Sequence, residues 1–488
     1  MKVYKILFLA FLVNLGLVSC GEDADDVGPK PPGTGGGDET RDLTIEKFAW
    51  RGMNNIYLYK ADVPELGNDF FASTVERDEF LEGFSTPENL FYDGLVAPQD
   101  RFSWIVDDYV ELENSFSGIS TTTGMNYSLG TYGENGNMVF GVVRYIMPGT
   151  SAEEKGVKRG DLFTKINGES MTINNYSSLL APDVLNVTLA KIEGNTISDT
   201  EEVVLTKAVY NSNPVYIKTT IDLDGIKVGY LMYNSFTDDY DEDLNDAFAY
   251  FIAEGVEELI LDVRYNGGGS VRTATDLAAM ITGQFPGEIF LKEEWNADYQ
   301  AHFERTNAAR LINKFNTTLS TGTAINSLNL DRLYVLTTSR SASASELIIN
   351  GLEPYIDVIQ IGQKTTGKFT ASTTLYDSPN FGRQNANTTH TYALQPLIFK
   401  SINANGVSDY VDGLIPDFEF EEDIRNYGVL GDANEPLLNA ALNYIQGNRI
   451  SMPEGFKPFN IVGESGMELP TYQRMYVKDL PELINIRE

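Results

Sequence analysis

Short apolar runs alternate with longer amphipathic stretches through much of this chain. Residues 227–233, 259–263, 333–338 and 358–362 are brief, largely apolar segments bounded by turn residues, and they read as buried strands. Residues 241–254 set Leu244, Ala247, Phe248, Phe251 and Ile252 at helical spacing, and 271–282 and 346–352 continue as helices. Repeated strand–turn–helix units of this kind predict an α/β core over 208–446. Residues 115–207 follow a different pattern. Strands are expected at 138–145 and 162–166, with turns at Pro148-Gly149, at 156–161 and at Asn167-Gly168, the last of hairpin type. Residues 42–114 carry helical patterns at 44–59, 75–83 and 87–92 and an aromatic segment at 102–109, the composition of a small helical packing domain. Residues 447–488 form a C-terminal extension in which nothing after 451 has a readable pattern, and 287–330 read as an insertion placed to lid a cleft.

The first residues have a separate character. Lys2 and Lys5 precede an apolar stretch, 6–18, that is too short for a comfortable membrane span and ends at Leu17-Val18-Ser19-Cys20. This resembles the lipobox of bacterial lipoproteins. Residues 1–19 would be a signal peptide, Cys20 the lipidated residue and 20–41 a Gly/Pro-rich tether. The acidic run at 21–26 resembles export signals of surface lipoproteins in the Bacteroidetes, which implies an exported protein on the outer membrane.

Composition narrows the chemistry. Among 488 residues, 36 Lys and Arg face 70 Asp and Glu, and a net charge of −34 excludes nucleic acid and anionic lipid as natural partners. One cysteine and two histidines leave no disulfide within the chain and no multi-imidazole site, and no metal is expected. Both His302 and His390 read as structural. The acidic cluster Glu419, Glu421, Glu422 and Asp423 lacks the spacing of a calcium loop and reads as a solvated face.

Three turns follow predicted strands. Asp262-Val263-Arg264-Tyr265-Asn266-Gly267-Gly268-Gly269 has no phosphate-loop ending, so nucleotide binding is weakly supported. The second, Ser339 to Glu346, places serines at a strand-to-helix junction, where free amides favour an oxyanion, although serines there usually only cap the helix. The third, Gln363 to Lys368, supplies a lysine. A desolvated lysine can act as the base that a histidine-poor serine site needs.

The turns of 138–168 resemble a PDZ domain closely, and the loop Gly124-Met125-Asn126-Tyr127 falls where such domains capture a peptide's terminal carboxylate. Asn126 departs from the usual Gly-apolar-Gly-apolar pattern. The order PDZ, Asp-x-Arg-x-Asn-x-Gly-Gly, Ser-Ala-Ser-Glu, Gly-Lys resembles the C-terminal processing (tail-specific) serine peptidases over roughly 115–445. Gly413-Leu414-Ile415-Pro416-Asp417 resembles a further segment of that family. Lys368 lies 25 residues after Ser343, the spacing that family uses, which selects Ser343 among the serines of the cluster.

The resemblance implies a crotonase-like ββα core beside a PDZ domain and a small N-terminal helical domain. It implies Ser343 as nucleophile, Lys368 as base and the amides of Gly268 and Ala344 as oxyanion donors. Glu346 would support the site, and Arg264 would hold the glycine loop. The family's glutamine four residues after the lysine is replaced by Ser372, with Gln363 and Gln395 as substitutes. No cofactor is needed, and the partner is a polypeptide cut near its C-terminus. The alternatives are a catalytically silent peptide binder of the same fold and a glycan-binding lipoprotein. Clustered tryptophans would mark the latter, and Trp50, Trp104 and Trp295 are scattered.

Overall fold

The computed structural model describes residues 41–133, 135–193, 196–448 and 460–484. Cys20 and the segments assigned to signal and tether lie outside the described residues. The described residues from Leu43 onward fall in one compact unit.

At its centre is a sheet in the order β7-β8-β9-β13-β14-β17, formed by Val215–Leu223, Ile226–Tyr233, Glu258–Asp262, Arg332–Thr337, Asp357–Gly362 and Phe418–Glu419. The first two pair antiparallel and all later pairs are parallel. Parallel strands need both faces covered, and alternation along each strand does this. Leu231, Leu259, Leu261, Leu333 and Val335 point to one cluster, shared with helices α5 (Asp241–Glu254), α6 (Val271–Thr282) and α7 (Ala344–Leu352). Tyr230, Met232, Ile260, Tyr334 and Leu336 point to the other, where Leu437, Leu438 and Leu442 of α8 (Pro436–Ile445) close the face.

The N-terminal region has no core of its own. Phe48, Met53 and Ile56 of α1 (Thr44–Ile56) belong to the same cluster as Leu261 and Leu347, and Trp104–Val106 (β1) pairs with Ala393–Gln395. A second sheet runs β10-β19-β15-β16-β11-β12: Gly269–Ser270, Met475–Tyr476, Thr370–Ser372, Leu397–Ile402, Ile289–Trp295 and Ile312–Lys314. The segment read as a lid over the cleft therefore supplies its outer strands. Phe290 and Leu291 are fully buried, and apolar side chains at period two make a strand, which a mobile cover has no use for.

Residues 125–206 form a separate antiparallel sheet with strands β2 (Met125–Tyr132), β3 (Met138–Ile146), β4 (Leu162–Ile166), β5 (Val184–Glu193) and β6 (Thr196–Thr206), and a short helix α4 (Tyr176–Leu180). The hairpin turn at Asn167-Gly168 has positive φ at both residues, 52° and 78°, as its type requires. The opposite edge, β2, is extended by the chain's own tail: Ile461–Glu464 (β18) pairs antiparallel with Ser128–Gly130.

Candidate active site

The three sequence turns meet at the carboxyl ends of adjacent parallel strands β9, β13 and β14, where open α/β sheets place their ligands. Each loop is fixed by its neighbours. Ser341 Oγ donates to Val263 O at 2.8 Å, Ala342 N to Asn266 O at 3.1 Å, and Ser345 Oγ to the same carbonyl at 3.0 Å. Thr366 ties the third loop to the second, its amide donating to Ser341 O at 3.0 Å and its hydroxyl to Ser339 O at 2.9 Å.

These bonds separate the serines. The hydroxyls of Ser341 and Ser345 serve as braces, whereas Ser343 Oγ has no hydrogen-bond partner among the described residues. Ser343 is fully buried, precedes α7 and holds φ 66°, ψ −115°, a conformation that costs an L-residue about 1–3 kcal/mol and that its surroundings must impose. Ala344 opens α7, so its N–H has no acceptor within the helix.

Lys368 is also fully buried, and its Nζ has no partner among the described residues. It lies 5.1 Å from the centroid of the Phe102 ring. Burial holds its pKa well below the ordinary lysine value, the nearby Arg474 guanidinium pushes the same way, and Asp100 and Glu346 oppose them. Arg474 is itself lowered to about 10 by burial. Burial and Arg474 both favour the neutral amine, the form that can accept a proton.

Glu346 joins nucleophile loop and lysine loop through one carboxylate. Oε2 accepts from Ser343 N at 2.7 Å and Lys368 N at 2.8 Å; Oε1 accepts from Thr365 Oγ1 at 2.5 Å and Gly367 N at 2.6 Å. It is fully buried, and burial raises its pKa against the pull of those four donors.

Other expected residues stand elsewhere. Gly268 packs against the candidate nucleophile, since a Cβ there would lie 2.5 Å from Ser343 Cβ, but its amide donates to Asn266 Oδ1 at 2.9 Å and is not free. Asn266 braces the glycines of the loop, donating also to Tyr233 O at 2.8 Å. Arg264 fixes the start of the same loop as the buried hub of an ion-pair network, bonded to Asp262, to Glu435 at 2.7 Å and to Glu422 at 3.0 Å. Arg159, from the turn at 156–161, reaches the same Glu422 at 2.7 Å and so fastens the PDZ sheet to the core. Glu422 is therefore no part of a solvated face: burial raises its pKa, Arg159 and Arg264 outweigh that, and it is lowered to about 2. Replacing Arg264 by methionine leaves Asp262 buried without its cation and Glu435 with only Arg159, at 3.7 Å. We expect a loss of about 3–5 kcal/mol in urea unfolding.

Ser372 does not reach the lysine amine; its hydroxyl donates to Met475 O at 3.2 Å. Gln395 Nε2 donates to Thr374 Oγ1, and since Lys368 Nζ has no hydrogen-bond partner among the described residues, neither Gln395 nor Gln363 takes the place of the missing glutamine. His390 bonds Asp377 at 3.1 Å, and His302 lies in the helix Ala297–Thr306. In the loop at 124–127, Gly124 N donates to Thr122 Oγ1, Met125 N to Thr123 Oγ1 and Tyr127 N to Ser465 Oγ of the tail at 3.0 Å, while Asn126 pairs with β3. Each of these three amides already has an acceptor.

Sequence reading missed Phe102 and Asp100 from the N-terminal region and Gln473 and Arg474 from the tail. The tail strand β19 pairs with both Gly269–Ser270 and Ser372, and Arg474 O lies 2.7 Å from where a Gly268 Cβ would stand. None of these residues belongs to a local motif.

Residues 227–419 match the sequence model of peptidase family S41, residues 44–104 that of the S41 N-terminal domain, and residues 142–191 a PDZ domain. The chain belongs to peptidase family S41. Among its relatives, a CtpA-like serine protease of Staphylococcus aureus is 26% identical over 232 residues, 47% of this chain and 42% of that protein. The chloroplastic carboxyl-terminal-processing peptidase 3 of Arabidopsis thaliana is 28% identical over 240 residues, 46% of this chain and 42% of that one. The matched region thus spans less than half the length of these relatives. An S41 protease structure from Bacteroides fragilis is 29% identical, with a TM-score of 0.63, covering 84% of this chain and 98% of that one.

Proposed function

We propose that this S41 chain is a serine peptidase that cuts exported polypeptides near their C-termini through an acyl-enzyme on Ser343. Lys368, as the neutral amine, takes the Ser343 proton as the hydroxyl attacks the peptide carbonyl. The Ala344 amide at the start of α7 receives the developing oxyanion, and Gly268 joins it once its amide turns from Asn266. Lys368 then returns the proton to the leaving amine, and water releases the acyl group. The reading places the enzyme on the outer membrane through a lipid on Cys20. The names of the relatives support the chemistry, since both are described as proteases or processing peptidases.

One observation carries the reading. Ser343 and Lys368 are buried, their side-chain polar atoms without a partner among the described residues, and both are fixed on their loops by the same Glu346 carboxylate. Digestion of casein by the wild-type chain, beside Ser343→Ala, tests it. The variant should lose on the order of 10⁴-fold in rate. The silent-binder reading draws on the tail residues lying over Gly267 and Gly268. Equal inertness of wild type and variant toward several unfolded proteins would favour it.

A further inference from the structure

The tail strand β18 lies where a peptide would be expected to dock. It pairs with the β2 edge through Ile461↔Gly130, Gly463↔Leu129 and Glu464↔Ser128, antiparallel and running toward Asn126. On its other side the Tyr176 hydroxyl of α4 donates to Val462 O at 3.2 Å, and Val462 packs on the core of this sheet. An edge-binding peptide enters such a groove as one more strand.

At the end of the strand stands a carboxylate with an unusual set of donors. Arg144 Nη1 and Arg340 Nε both donate to Glu464 Oε2, and the Tyr472 hydroxyl donates to Oε1 at 2.5 Å. The Arg144 side chain is only 4% exposed and is oriented by its Nε bond to Asn126 Oδ1 at 2.6 Å. A cavity of about 200 Å³ adjoins this cluster and is lined by Asn126, Arg144, Arg340, Gly267 and Gly268, so it links the carboxylate to the loop beside Ser343.

We propose that Arg144 and Arg340 form a carboxylate site for the free C-terminus of an extended peptide, and that Glu464 of the chain's own tail occupies it as an internal stand-in. The proposal deepens the peptidase reading by assigning the anchor of its substrate, and it rests on that reading for the purpose of binding. Two guanidinium donors supply what the amides at 124–127 do not. The tail competes as a tethered ligand, whose effective concentration is commonly in the millimolar range, so an incoming peptide binds the resting protein weakly. Taking the groove also loosens the segment that carries Gln473 and Arg474 onto Gly267 and Gly268.

The test uses the fluorescein-labelled hexapeptide Phe-Asn-Ile-Val-Gly-Ala as free acid and as C-terminal amide. It is titrated by anisotropy against the chain bearing Ser343→Ala, so binding is read without turnover and independently of whether casein is cut. Adding Glu464→Gln should tighten the free acid about tenfold or more and leave the amide at least about tenfold weaker than the acid. Adding Arg340→Gln to that variant should erase the difference between acid and amide. Tyr472→Phe, which weakens the hold on Glu464 without removing it, should shift affinity the same way by less, and it serves if Glu464→Gln does not fold. Equal binding of acid and amide, or no gain on releasing Glu464, overturns the proposal.

Discussion

Lys368→Met should lower kcat/KM for an unfolded protein substrate by about 10⁴-fold or more without destabilising the fold near neutral pH. The two halves of this expectation have one cause. Burial in contact with Phe102 and near Arg474 pulls the amine's pKa well down in the folded protein, whereas the unfolded chain returns it to the ordinary lysine range. Between the lowered folded pKa and the ordinary value the unfolded state binds the extra proton, so stability rises with pH across that window and is level on either side of it. Methionine fills similar space with no amine to desolvate, and its variant should lose this slope while losing the base. In the wild type, kcat/KM should rise with pH through the lowered lysine pKa and level off well before the ordinary lysine range. A single limb at the ordinary lysine value, or a stability–pH curve identical in Lys368→Met, would contradict the neutral-amine account.

Glu346→Gln should reduce kcat by about 10²–10³-fold with a smaller change in KM, because it loosens the catalytic geometry more than the substrate track. Each carboxylate oxygen accepts two donors, with Ser343 N and Lys368 N sharing one. A glutamine NH₂ on either side would face two N–H or O–H donors and leave them buried without acceptors, at about 1–3 kcal/mol each. The strained φ of Ser343 would then relax, since its amide is one of those held. Steady-state kinetics together with urea unfolding check this. An unchanged kcat in a protein that has lost stability would reduce Glu346 to a helix cap.

Much of this site was legible from sequence because its local parts are contiguous. A glycine run after one strand, serines at the next strand-to-helix junction and a Gly-Lys after the third bring their own turns with them. The spacing of Ser343 to Lys368 picks the serine whose hydroxyl is left unpartnered. What could not be read lies at long range. Phe102 and Arg474 flank the lysine from opposite ends of the chain, and no periodicity announces either. Glu422 sits in a run of acidic residues that composition assigns to water, yet Arg159 and Arg264 draw it inside. The tail escaped notice because strands as short as Ile461–Glu464 and Met475–Tyr476 carry too few residues to show a period, and their partners, such as Arg144 and Arg340 for Glu464 and Phe116 for Tyr476, lie far away in sequence.

The most direct measurement is the pre-steady-state burst with an activated peptide ester, followed by mass analysis of the quenched protein. The account predicts a burst approaching one equivalent, an acyl group on the peptide that contains Ser343, no burst in Ser343→Ala and a much slower one in Lys368→Ala. A burst that survives Ser343→Ala, or an acyl group found on another residue, would contradict it.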